Sequence, residues 1–316
     1  INIEGISSIS NDSIGFNFKS KNSWGNFSIN GILGNGFIDK KKSDKIFSIN
    51  TDFANLELSR WISKAFNFRL GGSILVKGDY SNKENPIFFW KVNNSTFSAE
   101  KFTLQDISME GRFEQKQLRN TLSINSESIK LKSDALYNFN LKIPETTLLA
   151  NIEKWDLNNI GLELGSGKKE FKGIISSNIK GTNVDDLEGN VNISSASLEN
   201  EIETVEFNPI SVIRKSINNI QFLKIENTDC IAGDINGDFK ISELGALFQS
   251  TFHQAYPFLP KKNVSKKQNI NFKLIIHEKL INALYPNFSI SENITLTGII
   301  NSNKSISKLA LDTPLM

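Results

Sequence analysis

A mainly β protein is the fold class this sequence predicts: one elongated, continuous antiparallel sheet carrying a few short amphipathic helices. Three observations predict it. Apolar and polar residues alternate with period two over most of the 316 residues. Turn-forming clusters punctuate that alternation at short intervals. Few obvious linkers interrupt it, so the pattern favours a sheet that keeps extending, each unit touching mainly its neighbours, over two or three separate sandwiches.

The repeated unit is plainest in residues 171–198, FKGIISSNIKGTNVDDLEGNVNISSASL, where two alternating strands flank a polar turn. Along the chain, Ile14, Phe16 and Phe18 alternate with Gly15, Asn17 and Lys19, and Phe27, Ile29 and Gly31 alternate with Ser28 and Asn30. Phe47, Ile49, Thr51 and Phe53 follow, then Ile74 and Val76, then Phe88, Trp90 and Val92. Leu122 with Ile124, and Phe139, Leu141 and Ile143, continue the series. Val191 with Ile193, Phe272 with Leu274 and Ile276, and Ile294 with Leu296 complete it. Turns are expected at Gly34-Asn35-Gly36, Gly71-Gly72, Ser81-Asn82, Asn93-Asn94, Gly165-Ser166-Gly167 and Asn301-Ser302-Asn303. About twenty strands result, more than the usual two to ten of one sheet. At about 4.8 Å per strand they would extend to roughly 100 Å.

Three segments switch to helical spacing. In 242–256, Leu244, Leu247, Phe248, Thr251, Phe252, Ala255 and Tyr256 form one stripe, with Ser242 as N-cap and Pro257 as stop. Leu58, Trp61, Ile62, Ala65 and Phe66 form a second, and Leu280, Ile281, Leu284 and Tyr285 a third before Pro286. None has the Lys/Arg-rich polar face of an interfacial membrane helix, so each is expected to pack on the sheet's apolar side.

Composition narrows the function classes. A net charge of +2 gives no whole-chain field towards nucleic acid or anionic membranes. Lysine-rich spots at 40–42, 168–169, 261–262 and 266–267 fall in expected loops, and no aromatic residues interleave with them, so nucleic acid is not an expected partner. One cysteine, Cys230, permits neither an intrachain disulfide nor a thiolate metal site and reads as a small buried apolar residue. No run of eighteen apolar residues and no signal peptide is visible. The chain starts at Ile1 and ends where Ser307–Leu311 reads as another strand, so it is read as an internal piece of a longer protein.

The search for chemistry predicts no catalytic residue, no cofactor and no metal. His253 and His277 lie 24 residues apart without ligand spacing. Asp185, Asp186 and Glu188 lack the alternating pattern of a calcium loop and read as a hydrophilic turn. Glu199, Glu201, Glu203 and Glu206 are expected on the wet face of a strand. Gly233-Asp234-Ile235-Asn236-Gly237-Asp238 sits in alternating sequence, where glycine marks a bulge or bend rather than a phosphate loop. The expectation is a protein that is not an enzyme and works through one long surface.

The segment LANIEKWDLNNIGL (149–162), then 171–198, then the run from Ile217 to Lys240 leading into the 242–256 helix, resembles the middle of TamB-type proteins of the AsmA-like superfamily, in the version found in the Bacteroidetes. Tyr256-Pro257, Phe272–Ile276, Leu284-Tyr285-Pro286 and Thr295–Ile299 continue the resemblance, which covers roughly residues 140–316, while 1–140 agree in texture only. It implies a periplasmic envelope protein, anchored in the inner membrane by a segment outside this chain. It would reach an outer-membrane assembly protein of the BamA/TamA type through regions likewise outside it. It further implies a long sheet curled into an open U-shaped trough (a β-taco), and a part in phospholipid transport between membranes and in outer-membrane biogenesis.

Physical reasoning reaches the same trough independently. A sheet with one apolar face must bury it. If the sheet curls without closing, acyl chains can fill the hollow, each buried CH₂ contributing roughly 0.8 kcal/mol and a sixteen-carbon chain on the order of 10 kcal/mol. The stripe expected to line it is Phe16, Phe18, Phe27, Ile29, Phe47, Ile49, Ile74, Val76, Phe88, Trp90, Leu122, Ile124, Val191, Ile193, Phe272, Leu274, Ile294 and Leu296. Each could equally be ordinary core. The rival expectations are a structural or adhesive β-solenoid with a closed, dry core and an outer-membrane β-barrel.

Overall fold

Among the described residues, nineteen strands, all in one antiparallel sheet that is not closed into a barrel, make up most of the computed structural model. The structure describes residues 2–10, 12–23, 25–37, 43, 45–57, 68–99, 102–159, 167–218, 220–255, 258, 260, 262–265, 268–287, 290–302 and 306–313. The expected helix at 58–66, the Tyr256-Pro257 helix end and most of the 165–167 turn lie outside the described residues. Two compact units divide the chain: residues 1–142 with 148–163, and residues 143–147 with 164–316.

The first unit runs through β1 (Asn2–Ile9), β2 (Ser13–Asn22), β3 (Gly25–Gly34), β4 (Ile46–Glu57), β5 (Arg69–Asp79), β6 (Ile87–Ser98), β7 (Thr103–Glu114), β8 (Gln117–Asn125) and β9 (Ile129–Asn138). Each strand pairs antiparallel with the next, as short connections dictate. β10 (Glu145–Asp156) contributes residues to both units. The second unit continues with β11 (Glu170–Lys180), β12 (Glu188–Glu199), β13 (Thr204–Phe207), β14 (Ile210–Ile217), β15 (Ile220–Glu226), β16 (Ile231–Asp238), α1 (Leu244–Ala255), β17 (Asn269–Ile276), α2 (Glu278–Leu284), β18 (Ile294–Asn301) and β19 (Ile306–Asp312).

Several turn expectations are corrected. Gly71-Gly72 and Asn93-Asn94 lie inside β5 and β6, where the register slips between Gly71 and Ser73 and between Val92 and Ser95. Asn94 has φ 45°, so an Asn tolerant of the left-handed region serves a bulge here rather than a hairpin. Phe139, Leu141 and Ile143 do not form a strand. Asn138 Oδ1 accepts the Asn140 N–H at 3.0 Å, Asn140 Nδ2 reaches the Gln115 carbonyl at 2.9 Å, and Pro144 has no N–H to give a ladder. Glu201 and Glu203 occupy the β12–β13 turn rather than a strand face. Ser242 does not cap a helix. It lies in the 3₁₀ turn Ile241–Glu243, and its N–H and hydroxyl both donate to the Asp185 carboxylate at 2.9 Å.

The glycine-rich run of β16 stays in unbroken register with β17. Gly233 and Gly237 have φ of +148° and +138°, and a Cβ there would stand 2.1 and 2.0 Å from the carbonyl oxygens of Lys273 and Asn269. Close backbone approach, not a phosphate, explains those glycines.

The second unit has a solid core. Ile235, Phe239, Leu247, Ile270, Phe272 and Ile300 are buried together, with Leu223, Leu244, Phe248, Leu274, Leu296 and Leu309 packed around them. Helix α1 supplies Leu247, 2% exposed, and Phe248, whose ring meets Phe272 edge-on at 4.9 Å. Glu243 ties the helix start to the following loop, accepting from the Ser265 N–H at 2.6 Å, its hydroxyl at 2.7 Å and Gln268 Nε2 at 2.8 Å. Those donors, the Ser265 backbone first, hold its carboxyl down to about 2. Helix α2 is pinned by Asn200 Nδ2 on the Ala283 carbonyl (3.0 Å) and by Lys279 on Asp229 (2.7 Å).

Candidate functional site

Residues directly opposite each other in an antiparallel pair share a face. In the first unit the printed registers assemble rows that cross the strands. Phe16 stands opposite Gly31, then Ile49, Val76, Trp90 and Gly111. Phe18 stands opposite Ile29, then Thr51, Ile74, Val92, Met109 and Leu122. Phe27 faces Phe53, Phe47 reaches Phe88 across Gly78, and Ile124 faces Ile107. All twelve stripe residues expected in this unit therefore lie on one side of the sheet. The opposite side is largely polar, carrying rows such as Lys19–Ser28–Asp52–Ser73–Asn93.

That apolar side is not sealed by the described residues. Among them, no hydrophobic side chain in 2–142 is fully buried; most of the stripe is half-buried and Phe18 is 42% exposed. Its relief is set by glycines. A Cβ on Gly111 would lie 2.0 Å from the Trp90 ring, one on Gly31 2.2 Å from Phe16, one on Gly5 2.4 Å from Phe18, and one on Gly78 2.5 Å from Phe47 and 2.8 Å from Phe88. The rings thus lie over neighbouring strands where a side chain is missing, the aromatic cover that sheet glycines commonly receive. Replacing Gly111 by Ala is expected to lift Trp90 and lose about 1–3 kcal/mol by overpacking. Replacing Gly245 by Ala, where nothing lies within 4 Å in α1, is expected to gain about 0.5–1 kcal/mol. Urea midpoints of the two variants check both signs.

Near one end of the strands the aromatic rings form a ladder. Phe37 to Phe47 is 6.2 Å, Phe47 to Phe88 6.1 Å, Phe88 to Phe113 6.1 Å and Phe113 to Phe139 6.4 Å, with Tyr80 stacked on Phe88 at 6.4 Å. A shorter cluster, Phe68–Phe97–Phe102, marks the other end at 5.1 and 5.9 Å.

In the second unit, Val191 is opposite Val212, then Ile225, Gly233, Leu274 and Leu296; Ile193 faces Ile175 and Ile210; Ile276 faces Ile294. The six stripe residues expected there also share a face. Phe272, however, is 2% exposed beneath α1 and belongs to solid core.

Arg214, which the alternation did not single out, sits on this face opposite Leu223 and Gly189 and is 5% exposed. Its guanidinium donates to the carbonyls of Val184 (3.0 Å) and Asp185 and to Gln221 Oε1 (3.2 Å), fastening the 181–187 loop over the strand ends. Asp185 and Asp186 spend their oxygens on Ser242 and on Thr182 and Asn183. Glu199 is paired with Lys168 and Lys172, which hold its carboxyl down to about 2. Cys230 is buried just before β16, and burial pushes its thiol up to about 11. Among the described residues, no three His, Cys, Asp or Glu side chains are placed to hold a metal ion, and no helix is long and apolar enough to cross a membrane.

No family model, curated protein or solved structure matches the chain.

Proposed function

We propose that the apolar face of the first unit holds phospholipid acyl chains, and that the protein is a non-enzymatic cell-envelope component moving phospholipid between inner and outer membranes in the course of outer-membrane biogenesis. One observation carries the reading: twelve hydrophobic positions scattered from Phe16 to Ile124 converge on one face that the described residues leave half-exposed. Contiguous apolar surface of this extent marks a binding surface in a water-exposed protein. Rows of similar residues from strand to strand give an acyl chain nearly the same environment at each step, so sliding meets no deep well. The periplasmic location, the inner-membrane anchor and the BamA/TamA-type partner rest on the resemblance of residues 140–316 to TamB-type proteins.

The test is mass spectrometry of lipids extracted from the detergent-free purified protein. Phospholipid at a fixed ratio to protein is the expected result; none in the extract ends the proposal. A structural β-solenoid is the second reading, favoured by the solid cluster under α1, and it predicts that empty extract.

A further inference from the structure

We infer, resting on the acyl-chain reading above, that helices α1 and α2 turn the apolar face of the second unit into a constriction, a track one acyl chain wide that admits straight chains and rejects broad ring systems. The registers order this face in rows that cross the strands. One row is Leu223–Ile235–Phe272–Gly298, and beside it runs Gly237–Ile270–Ile300. Helix α1 seals this pair of rows: Phe248 stands edge-on to Phe272, and Ile235, Phe272, Ile270 and Ile300 are at most 3% exposed. Helix α2 covers the other strand end. Its Lys279 Nζ lies 5.5 Å from the centre of the Phe207 ring, and Phe207 stands opposite Ala196 on β12. The bulge at Ser195, with φ 49°, keeps Leu198 on the side of Ile193: their partners on β11, Phe171 and Ile175, are an even number of residues apart. Both helices therefore lie on the apolar side.

Between the helices two rows stay half-buried, as the first unit's stripe does: Val191–Val212–Ile225–Gly233–Leu274–Leu296, and Ile231–Ile276–Ile294. Same-side residues on a strand are about 7 Å apart, so the two rows are separated by about that distance. Each is flanked by a helix. Leu274 and Leu296 pack against the cluster under α1, and Ile276 leads through His277 directly into α2. A helix with its side chains is about 10–12 Å across, so it overhangs the row beside it. The strip left between the overhangs is about one row wide. Its length suits one chain. From β12 to β18 the longer row takes strand steps of about 4.8 Å and runs to roughly 24 Å, whereas a chain in one leaflet spans about half of a 30 Å hydrocarbon core. Gly233 keeps the middle of the floor low, since a Cβ there would stand 2.1 Å from the Lys273 carbonyl oxygen. A fused four-ring system is broader than an extended chain and would meet the side chains of both helices.

The experiment loads the full chain with two photoactivatable probes, a phospholipid carrying a diazirine in mid-chain and a sterol carrying one on its rings, and maps the labelled peptides by mass spectrometry. The phospholipid is expected to label β15, β17 and β18 as well as β4–β6 of the first unit. The sterol is expected to label the first unit several-fold more than the second. Ile225→Asp is expected to lower phospholipid labelling of β17 and β18 about tenfold, by placing a charge that a chain would desolvate, with β4–β6 unchanged. Ile225→Trp, which stays apolar and fills the strip, is expected to do the same. Lys224→Asp, on the opposite side of β15, is expected to change nothing. Phospholipid labelling confined to the first unit overturns the track and leaves the acyl-chain reading standing. Sterol labelling equal in the two units, or phospholipid labelling of Ile235 and Phe272 beneath α1, overturns the constriction. Undiminished labelling of β17 and β18 in both folded Ile225 variants overturns it too. If neither variant folds, the labels on the unaltered chain decide. Phospholipid labelling of neither unit overturns both readings.

Discussion

Replacing Ile49 with Asp is expected to strip phospholipid from the protein while leaving the first unit folded. Ile49 stands in the middle of the Phe16–Gly31–Ile49–Val76–Trp90 row and is half-buried. Water that reaches the side chain keeps a carboxylate there solvated when the face is empty, so the folded state loses about 1–2 kcal/mol, the size of an ordinary substitution. An acyl chain laid over the same spot would desolvate that charge, which costs several kcal/mol without a partner. Each 1.4 kcal/mol is a factor of about ten in affinity, so bound lipid should fall at least that far. Val76→Asp, one strand away, should behave alike. Mass spectrometry of the bound lipid, set beside the circular dichroism and urea midpoint of each variant, makes the check. A variant that keeps its lipid shows that this row does not line the lipid path; a variant that unfolds shows that Ile49 is closed core.

How much of this surface could be read in advance follows from what period two contains. Alternation fixes which residues of a strand share a side, so Phe16 with Phe18 and Ile74 with Val76 were placed together from the sequence. It says nothing about register between strands, and a slip of one residue would have set Ile49 against the polar side. The glycine–ring pairs were invisible for that reason: Gly111 is informative only once Trp90 is known to stand opposite. Bulges misled the turn reading, because Gly71-Gly72 and Asn93-Asn94 use the same backbone freedom that a hairpin uses. Arg214 escaped because its two partner carbonyls, at 184 and 185, belong to a loop some thirty residues earlier. The helix stripes at 244–255 and 280–284 were legible because spacing of three and four needs no partner to interpret. Where such a stripe lands is a tertiary fact, and it turned Phe272 from an expected groove residue into core.

Phe272→Ala should therefore act in the opposite sense to Ile49→Asp, on stability first. The ring is 2% exposed, lies edge-on to Phe248, and shares its surroundings with Ile235, Leu247, Ile270 and Ile300. Opposite it on β18 is Gly298, whose missing side chain leaves room for the ring, since a Cβ there would stand 3.0 Å from it. Truncation removes the ring from this packed cluster and leaves a cavity, and losses of about 3–5 kcal/mol accompany such truncations. Hydrogen exchange should report the loss in the amides of β16, β17 and α1. The first unit's β3–β8 amides should be unaffected, and so should the lipid held there, provided measurement is made below the unfolding transition. If Phe272→Ala instead costs under about 1 kcal/mol, typical of an exposed position, then α1 does not seal this face in solution and Phe272 returns to the set of residues that lipid can reach.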